Sequence, residues 1–341
     1  MGITRSKPEE VVKNRRQVEA GTDPYIYKEE PTIRKVSIAV AQMACSTDRT
    51  DNILHAGELV REAAAKGAQV VLLQELFETP YFCIEKSDAH FAEARSTKDN
   101  PAIKAMQELA AELDVVIPVS FYELGEDGKY YNSLAMVDAG GDLMGVYRKS
   151  HIPDFPAYEE AFYFEPGDTG FMVWDTKYLK IGCGICWDQW FPEAARAMAL
   201  MGAELLMYPT AIGNTVDISG SDDAEIDPWF EAKHAFSAEH WQRTQQGHAA
   251  ANQVILAAAN RVGFESGGGF KTMFYGHSFI ANGAGRKIVN MDECSTGVAL
   301  ATFNLEDEAR FRKEWGIFRT RRPDLYDPLL SQPAPAALMK R

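Results

Sequence analysis

The chain has 341 residues, 46% of them hydrophobic, which is enough for one large α/β domain or two smaller ones with a sizeable core. Its 49 acidic residues outnumber 35 basic ones, and the resulting formal charge of −14 argues against nucleic acid or an anionic membrane as partner while favouring a cationic ligand. Five scattered cysteines, an odd count without disulfide-scaffold spacing, fit a reducing cytoplasm, and no apolar run reaches signal-peptide or membrane-span form.

Residues 1–33 are polar and read as an N-terminal extension carrying Pro8, Pro24 and Pro31. A single domain is expected over 34–330, followed by a tail over 331–341. It opens with the alternating β-branched run Lys35 to Gln42, a strand. Residues 51–66 place Ile53, Ala56, Leu59, Val60 and Ala63 at helical spacing, with Gly67 as the stop. The apolar run from Gln69 predicts a strand that ends at Glu75. Asn100 and Pro101 have the form of an N-cap and first helical residue, and a strand follows from Val115 to Tyr122. Turn clusters at 125–128 and 138–141 separate antiparallel segments, so the sheet arrangement must be mixed. The strand Leu143 to Arg148 ends at Lys149.

A further apolar run from Leu179 reaches Cys186, just before a helix that starts at Pro192 and stops at Gly202; Glu204 to Pro209 resumes a strand. Residues 213–239 lack periodicity and read as a long loop, followed by a helix bearing Trp241, Gln245 and His248. Strands are expected at 254–259, 272–281, 286–290 and 297–305, then a helix over 306–315. Two similar halves of this make-up imply a four-layer α-β-β-α sandwich with two mixed sheets.

Three strand ends carry chemistry: the carboxylate of Glu75, the ammonium of Lys149 and the thiol of Cys186. An acid–base group, a fixed cation and a nucleophile are the parts of thiol-based acyl transfer. Cys183 and Cys186 form a C-x-x-C, but zinc would need a second ligand pair at similar spacing, and redox pairs open a helix. Strand alternation turns Cys183 away from Cys186 and into the core. No metal or organic cofactor is implied.

The strings Leu73-Gln74-Glu75-Leu76-Phe77, Tyr147-Arg148-Lys149-Ser150-His151-Ile152-Pro153 and Gly182-Cys183-Gly184-Ile185-Cys186-Trp187-Asp188 resemble, in order and spacing, the three signature blocks of the nitrilase, or carbon–nitrogen hydrolase, superfamily. The similarity spans roughly residues 34 to 330. It implies that Cys186 attacks an amide or ureide carbonyl and that Glu75 is the general base. Lys149 and the Trp187 N–H would stabilise the oxyanion, and a fourth family carboxylate maps onto Glu160. Phe155 and Ala157 stand where glycines are usual.

Relatives that hydrolyse N-carbamoyl amino acids have an arginine shortly after the nucleophile; here those positions hold Gln189 and Trp190. An anionic substrate would lack its clamp, and the resemblance implies a small cationic ureide, N-carbamoylputrescine, hydrolysed to putrescine, carbon dioxide and ammonia. Glu78 and Asp188 are candidate partners for its charge, and Tyr81, Trp187, Trp190 and Thr210 are candidate lining residues. The alternatives are an N-carbamoyl amino acid or aliphatic amide as substrate, or a non-catalytic interaction protein on the same scaffold. The family's habit of association leads to the expectation of a homodimer or larger homo-oligomer.

Overall fold

The structure, a computed structural model, describes residues 34–219 and 230–332. The expected extension over 1–33 and most of the tail from 331 lie outside the described residues. The first half is a β-α-β unit, β1 (Lys35–Gln42), α1 (Arg49–Ala65) and β2 (Val70–Leu72), then α2 (Pro101–Leu113) and the meander β3 (Ile117–Leu124), β4 (Tyr130–Val137) and β5 (Leu143–Arg148). A single turn α3 (Glu160–Tyr163) leads to the second half. This half comprises β6 (Val173–Asp175), β7 (Lys180–Cys183), α4 (Pro192–Leu200), β8 (Leu205–Pro209), β9 (Gly213–Asp217), α5 (Phe230–Asn252) and β10 (Ile255–Ala259). The chain finishes with β11 (Phe264–Gly267), β12 (Phe270–Phe274), β13 (Phe279–Ala281), β14 (Lys287–Asn290), β15 (Gly297–Asn304), α6 (Leu305–Trp315) and α7 (Pro328–Ser331).

Helix starts follow side-chain capping. Asp48 accepts from the backbone N–H groups of Thr50 and Asp51 at 2.7 and 3.1 Å and opens α1. Asn100 accepts from Ile103 N–H at 2.9 Å, with Pro101 in the first turn of α2, as the sequence indicates.

β15-β1-β2 and β3-β4-β5 are joined by a parallel bridge between Val70 and Val116 into one mixed layer. The facing sheet runs β14-β13-β10-β8-β7-β6, parallel through β10, β8 and β7 and antiparallel at both sides. Ile38, Val40, Leu72, Leu134, Ile181, Leu205, Met207 and Ile255 fill the space between the sheets. The opposite strand faces, with Ala39, Val71 and Val119 on one side and Leu206, Tyr208 and Leu256 on the other, pack on α1 and α2 and on α4 and α5 respectively. Burial on both faces of both sheets yields the expected α-β-β-α sandwich.

Four expectations need correction. The strand expected to end at Glu75 stops at Leu72, three residues short. The region 213–239 is not one loop: β9 and the first part of α5 lie within it, although 220–229 is outside the described residues. The run 272–281 is two strands, and β12 pairs with β11 across the turn of Gly268 and Gly269, both at positive φ, and with β9 on its other side. β7 stops at Cys183, three residues short of Cys186. Cys183 is fully buried between the sheets, as expected, and Gly184 packs directly against the β8 side chain Tyr208.

A Cβ on Gly184 would lie 2.8 Å from Tyr208 Cε1 and 3.0 Å from the Cβ of Asp188. Gly184→Ala is therefore expected to lower unfolding free energy by about 1–3 kcal/mol, the usual cost of overpacking. Equal thermal unfolding of variant and parent would contradict this packing.

Candidate active site

Glu75, Lys149 and Cys186 leave three different strands at one end of the sandwich, and all three are buried, with Glu160 beside them. Glu75 follows β2, where Leu76 turns at φ 47°. Arg261, buried just after β10, donates to the carbonyl oxygens of Glu75 and Leu76 at 3.1 and 2.6 Å and to Glu265 Oε1 at 2.8 Å. Lys149 follows β5, with its N–H donating to the Asn132 carbonyl of β4 at 2.8 Å. The neighbouring Arg148 turns away to Glu123 and Asp168. This alternation at the strand end aims one cation inward and one outward.

Cys186 has φ 43°, a conformation that a non-glycine side chain adopts only under constraint. Asp188 supplies that constraint. Its Oδ2 accepts from Ile185 N–H at 2.9 Å and Tyr147 OH at 2.7 Å, and its Oδ1 accepts from His151 N–H at 3.0 Å with His151 Nδ1 2.7 Å away. The His151 ring stacks on Phe191 with centroids 3.6 Å apart. Asp188 thus ties the nucleophile turn to the strand exit that carries Lys149.

The Lys149 ammonium donates to Glu75 Oε1 at 2.9 Å and to both oxygens of Glu160 at 2.9 and 2.7 Å. Burial alone works against the cation, but the Glu160 and Glu75 carboxylates, then Cys186, outweigh it and hold the proton firmly. Glu160 also accepts from Tyr81 OH at 2.5 Å. Burial, with the Glu75 charge adding to it, pushes the Glu160 carboxyl up to about 7 against the pull of Lys149. Burial and the Glu75 and Glu160 charges drive the Cys186 thiol well above its usual value, while Lys149 and the Ala211 N–H pull it down. Cys186 therefore rests as a neutral thiol, and Glu75 Oε2 is buried without a hydrogen-bond partner.

The sequence-derived substrate residues separate. Tyr81 is bonded to Glu160, and Thr210 lies beneath the site, its carbonyl 3.4 Å from Glu75 N and its hydroxyl on Gln189. Trp187 is half-buried, its ring 5.2 Å from Phe155 and 6.1 Å from Trp190. Expected at the substrate, Glu78 and Asp188 instead commit their carboxylates inside the protein; Glu78 accepts from Asn100 Nδ2 at 2.8 Å and lies 3.3 Å from Arg49 Nε. Ala157, where glycine is usual, has φ 64°. Sequence reading missed Asn132, Arg261 and the Ala211 N–H. Among the described residues no group of three His, Cys, Asp or Glu side chains could hold a metal ion, and no helix is long and apolar enough to cross a membrane.

A buried thiol, carboxylate and ammonium thus stand together at one end of a two-sheet α-β-β-α sandwich. Residues 37–313 match the model of the carbon-nitrogen hydrolase family, and the chain belongs to that family. It is 50% identical to an N-carbamoylputrescine amidase of Arabidopsis thaliana over 87% of this chain and 96% of that protein. It is 43% identical to a citrullinase of Francisella tularensis over 86% and 98% respectively. The crystal structure of a carbon-nitrogen hydrolase from Helicobacter pylori superposes with a TM-score of 0.79 at 35% identity, covering 87% of this chain and 99% of that one.

The raised Glu160 carboxyl carries a stability signature. Its folded value of about 7 lies above the 4.5 of a free glutamate side chain, so the native state holds this proton more tightly than the unfolded chain does. That stabilisation is present below the unfolded value and is lost as pH rises through about 7. The melting temperature of the parent minus that of Glu160→Gln should therefore fall between about pH 5 and about pH 8. A pH-independent difference would contradict the assignment.

Proposed function

We propose that the protein hydrolyses N-carbamoylputrescine to putrescine, carbon dioxide and ammonia through a thioester on Cys186. The observation that carries this reading is the bare, buried Oε2 of Glu75 in a site where Glu75 Oε1 is already held by Lys149. Only one carboxylate oxygen is left to accept a proton, and the neutral thiol has one to give. Glu75 takes the thiol proton as sulfur attacks the ureide carbon, and the developing oxyanion is met by Lys149 and the Trp187 N–H. In a water-poor pocket each such donor contributes on the order of 3 kcal/mol to transition-state stability. The C–N bond then breaks, with the proton returned from Glu75 to the departing amine. Water activated by the same carboxylate cleaves the S-carbamoyl thioester, restoring the thiol and releasing a carbamic acid that loses carbon dioxide to free the second amine. Glu160, with Tyr81 behind it, keeps Lys149 charged and aimed.

The similarity to N-carbamoylputrescine amidases at 50% identity supports the substrate, as does the acidic balance of the chain. Gln189, in a place where an arginine would hold a substrate carboxylate, donates no charge and spends its oxygen on Trp241 Nε1 at 2.8 Å. The half-buried rings of Trp187 and Phe155 are suited to line an alkyl chain. The same reading places the enzyme in the cytoplasm as a homodimer or larger. Its described cysteines are free, and Leu325, Leu329 and Leu330 stand exposed near the C-terminus, where a second copy could cover them.

Ammonia release should be fast with N-carbamoylputrescine and at least about tenfold slower, in kcat/KM, with citrulline and N-carbamoyl-β-alanine, because a desolvated substrate carboxylate left without a cationic partner costs a factor of ten or more. Cys186→Ala should abolish release from every substrate while unfolding at the parental temperature. Comparable rates across the panel would refute the charge argument, and turnover by Cys186→Ala would refute the nucleophile.

A further inference from the structure

Asn132 lies in the middle of β4, fully buried. Strand alternation turns its neighbours Tyr131 and Ser133 to the other face, where they meet Asp127 and Glu123 at 2.7 and 2.6 Å. Asn132 points instead into the site. Its Nδ2 donates to Glu75 Oε1 at 2.7 Å, and its backbone carbonyl accepts from Lys149 N–H at 2.8 Å. One residue therefore touches both the carboxylate and the backbone of the residue that carries the cation. Its own Oδ1 is buried without a partner, as is Glu75 Oε2.

A carboxylate beside a single ammonium has a soft terminal torsion and can rotate to offer either oxygen, or both, to the cation. Glu160 does this, taking Lys149 with both oxygens at 2.9 and 2.7 Å. Glu75 does not, because two donors arriving from different elements, β4 and the end of β5, converge on Oε1. The plane of the Glu75 carboxylate is set by that convergence, and Oε2 is kept away from the ammonium.

We infer that Asn132 is a positioning residue for the general base, holding Glu75 so that one oxygen alone remains free to exchange protons with Cys186 and with the hydrolytic water. The inference rests on the proposed roles of Glu75 and Cys186 and adds a residue to them. It also explains why a polar side chain is tolerated in a strand whose other buried positions are apolar or bonded on the outer face. Without the amide donor, Lys149 can draw both Glu75 oxygens toward itself, and the base must give up a hydrogen bond before it can accept a proton.

The test uses Asn132→Asp, which keeps the shape but removes the donor, and Asn132→Ala. Both are measured for kcat and KM, for thermal unfolding, and for the second-order rate at which iodoacetamide alkylates Cys186. Expected is a drop in kcat of about 10- to 100-fold with KM within about twofold of the parent, the size usual for lost outer-shell hydrogen bonds. A similar slowing of alkylation is expected in both variants, with Asn132→Asp retaining cooperative unfolding. Unchanged kcat, a rise in KM alone, or alkylation as fast as in the parent would overturn the inference. If the parent turned over no carbamoyl substrate, the functional reading would fail by itself, while the alkylation comparison would still decide the role of Asn132.

Discussion

A single ammonium, that of Lys149, sits fully buried between two carboxylates, and the site is arranged around that fact. An isolated buried charge is expensive, and a buried ion pair repays its desolvation only when the remaining hydrogen-bonding capacity is filled. Here the filling is thorough on one side and deliberately incomplete on the other. Glu160 takes Lys149 with both oxygens and Tyr81 with one, whereas Glu75 keeps Oε2 empty. The asymmetry divides the two acids: Glu160 holds the cation with both oxygens and Glu75 with one.

The fold makes this asymmetry stable because each member is the end of a different rigid element. Glu75 follows β2, Lys149 follows β5, and Cys186 follows β7 in a tight turn locked by Asp188. Glu160 begins the one-turn α3 between the two halves. Arg261 after β10 grips the Glu75 and Leu76 carbonyls, so the opposite sheet fixes the backbone of the base. Side chains carried by elements of both sheets can be held only if the sheets do not slide. The packed apolar layer between them, from Ile38 and Leu72 to Met207 and Ile255, supplies that rigidity.

Much of this was legible in the chain. Glu75, Lys149 and Cys186 stand out because each lies near the end of an apolar run, within strings that resemble the family's signature blocks. Asn100 and Pro101 announce α2 because capping is a local interaction. What stayed hidden depends on distant partners. Asn132 sits beside Ser133 in a strand of ordinary composition, and only the pairing of β4 with β5 brings it beside Lys149 and Glu75. Asp188 and Glu78 have the composition of substrate-facing acids, yet donors up to 41 residues away claim Asp188. The start of α5 was obscured for another reason: its buried face carries His234, Gln242, Gln245 and His248, so the apolar periodicity that marks a helix is largely missing. The strand β7 was read too long because Gly184 and Ile185 continue its composition, while the packing of Tyr208 on Gly184 that ends it is a tertiary contact.

The central claim is that one buried cation compensates two carboxylates and that this charge arrangement, rather than shape alone, makes the site work. Equilibrium unfolding and ammonia release measured together on Lys149→Met and on the neutral triple variant Glu75→Gln, Lys149→Met, Glu160→Gln test it directly. Removing the cation alone should destabilise the protein by about 3–5 kcal/mol, the cost of stranding buried charge, and the triple variant should recover most of that stability while remaining inactive. Lys149→Met that unfolds like the parent, or that still releases ammonia, would contradict the account.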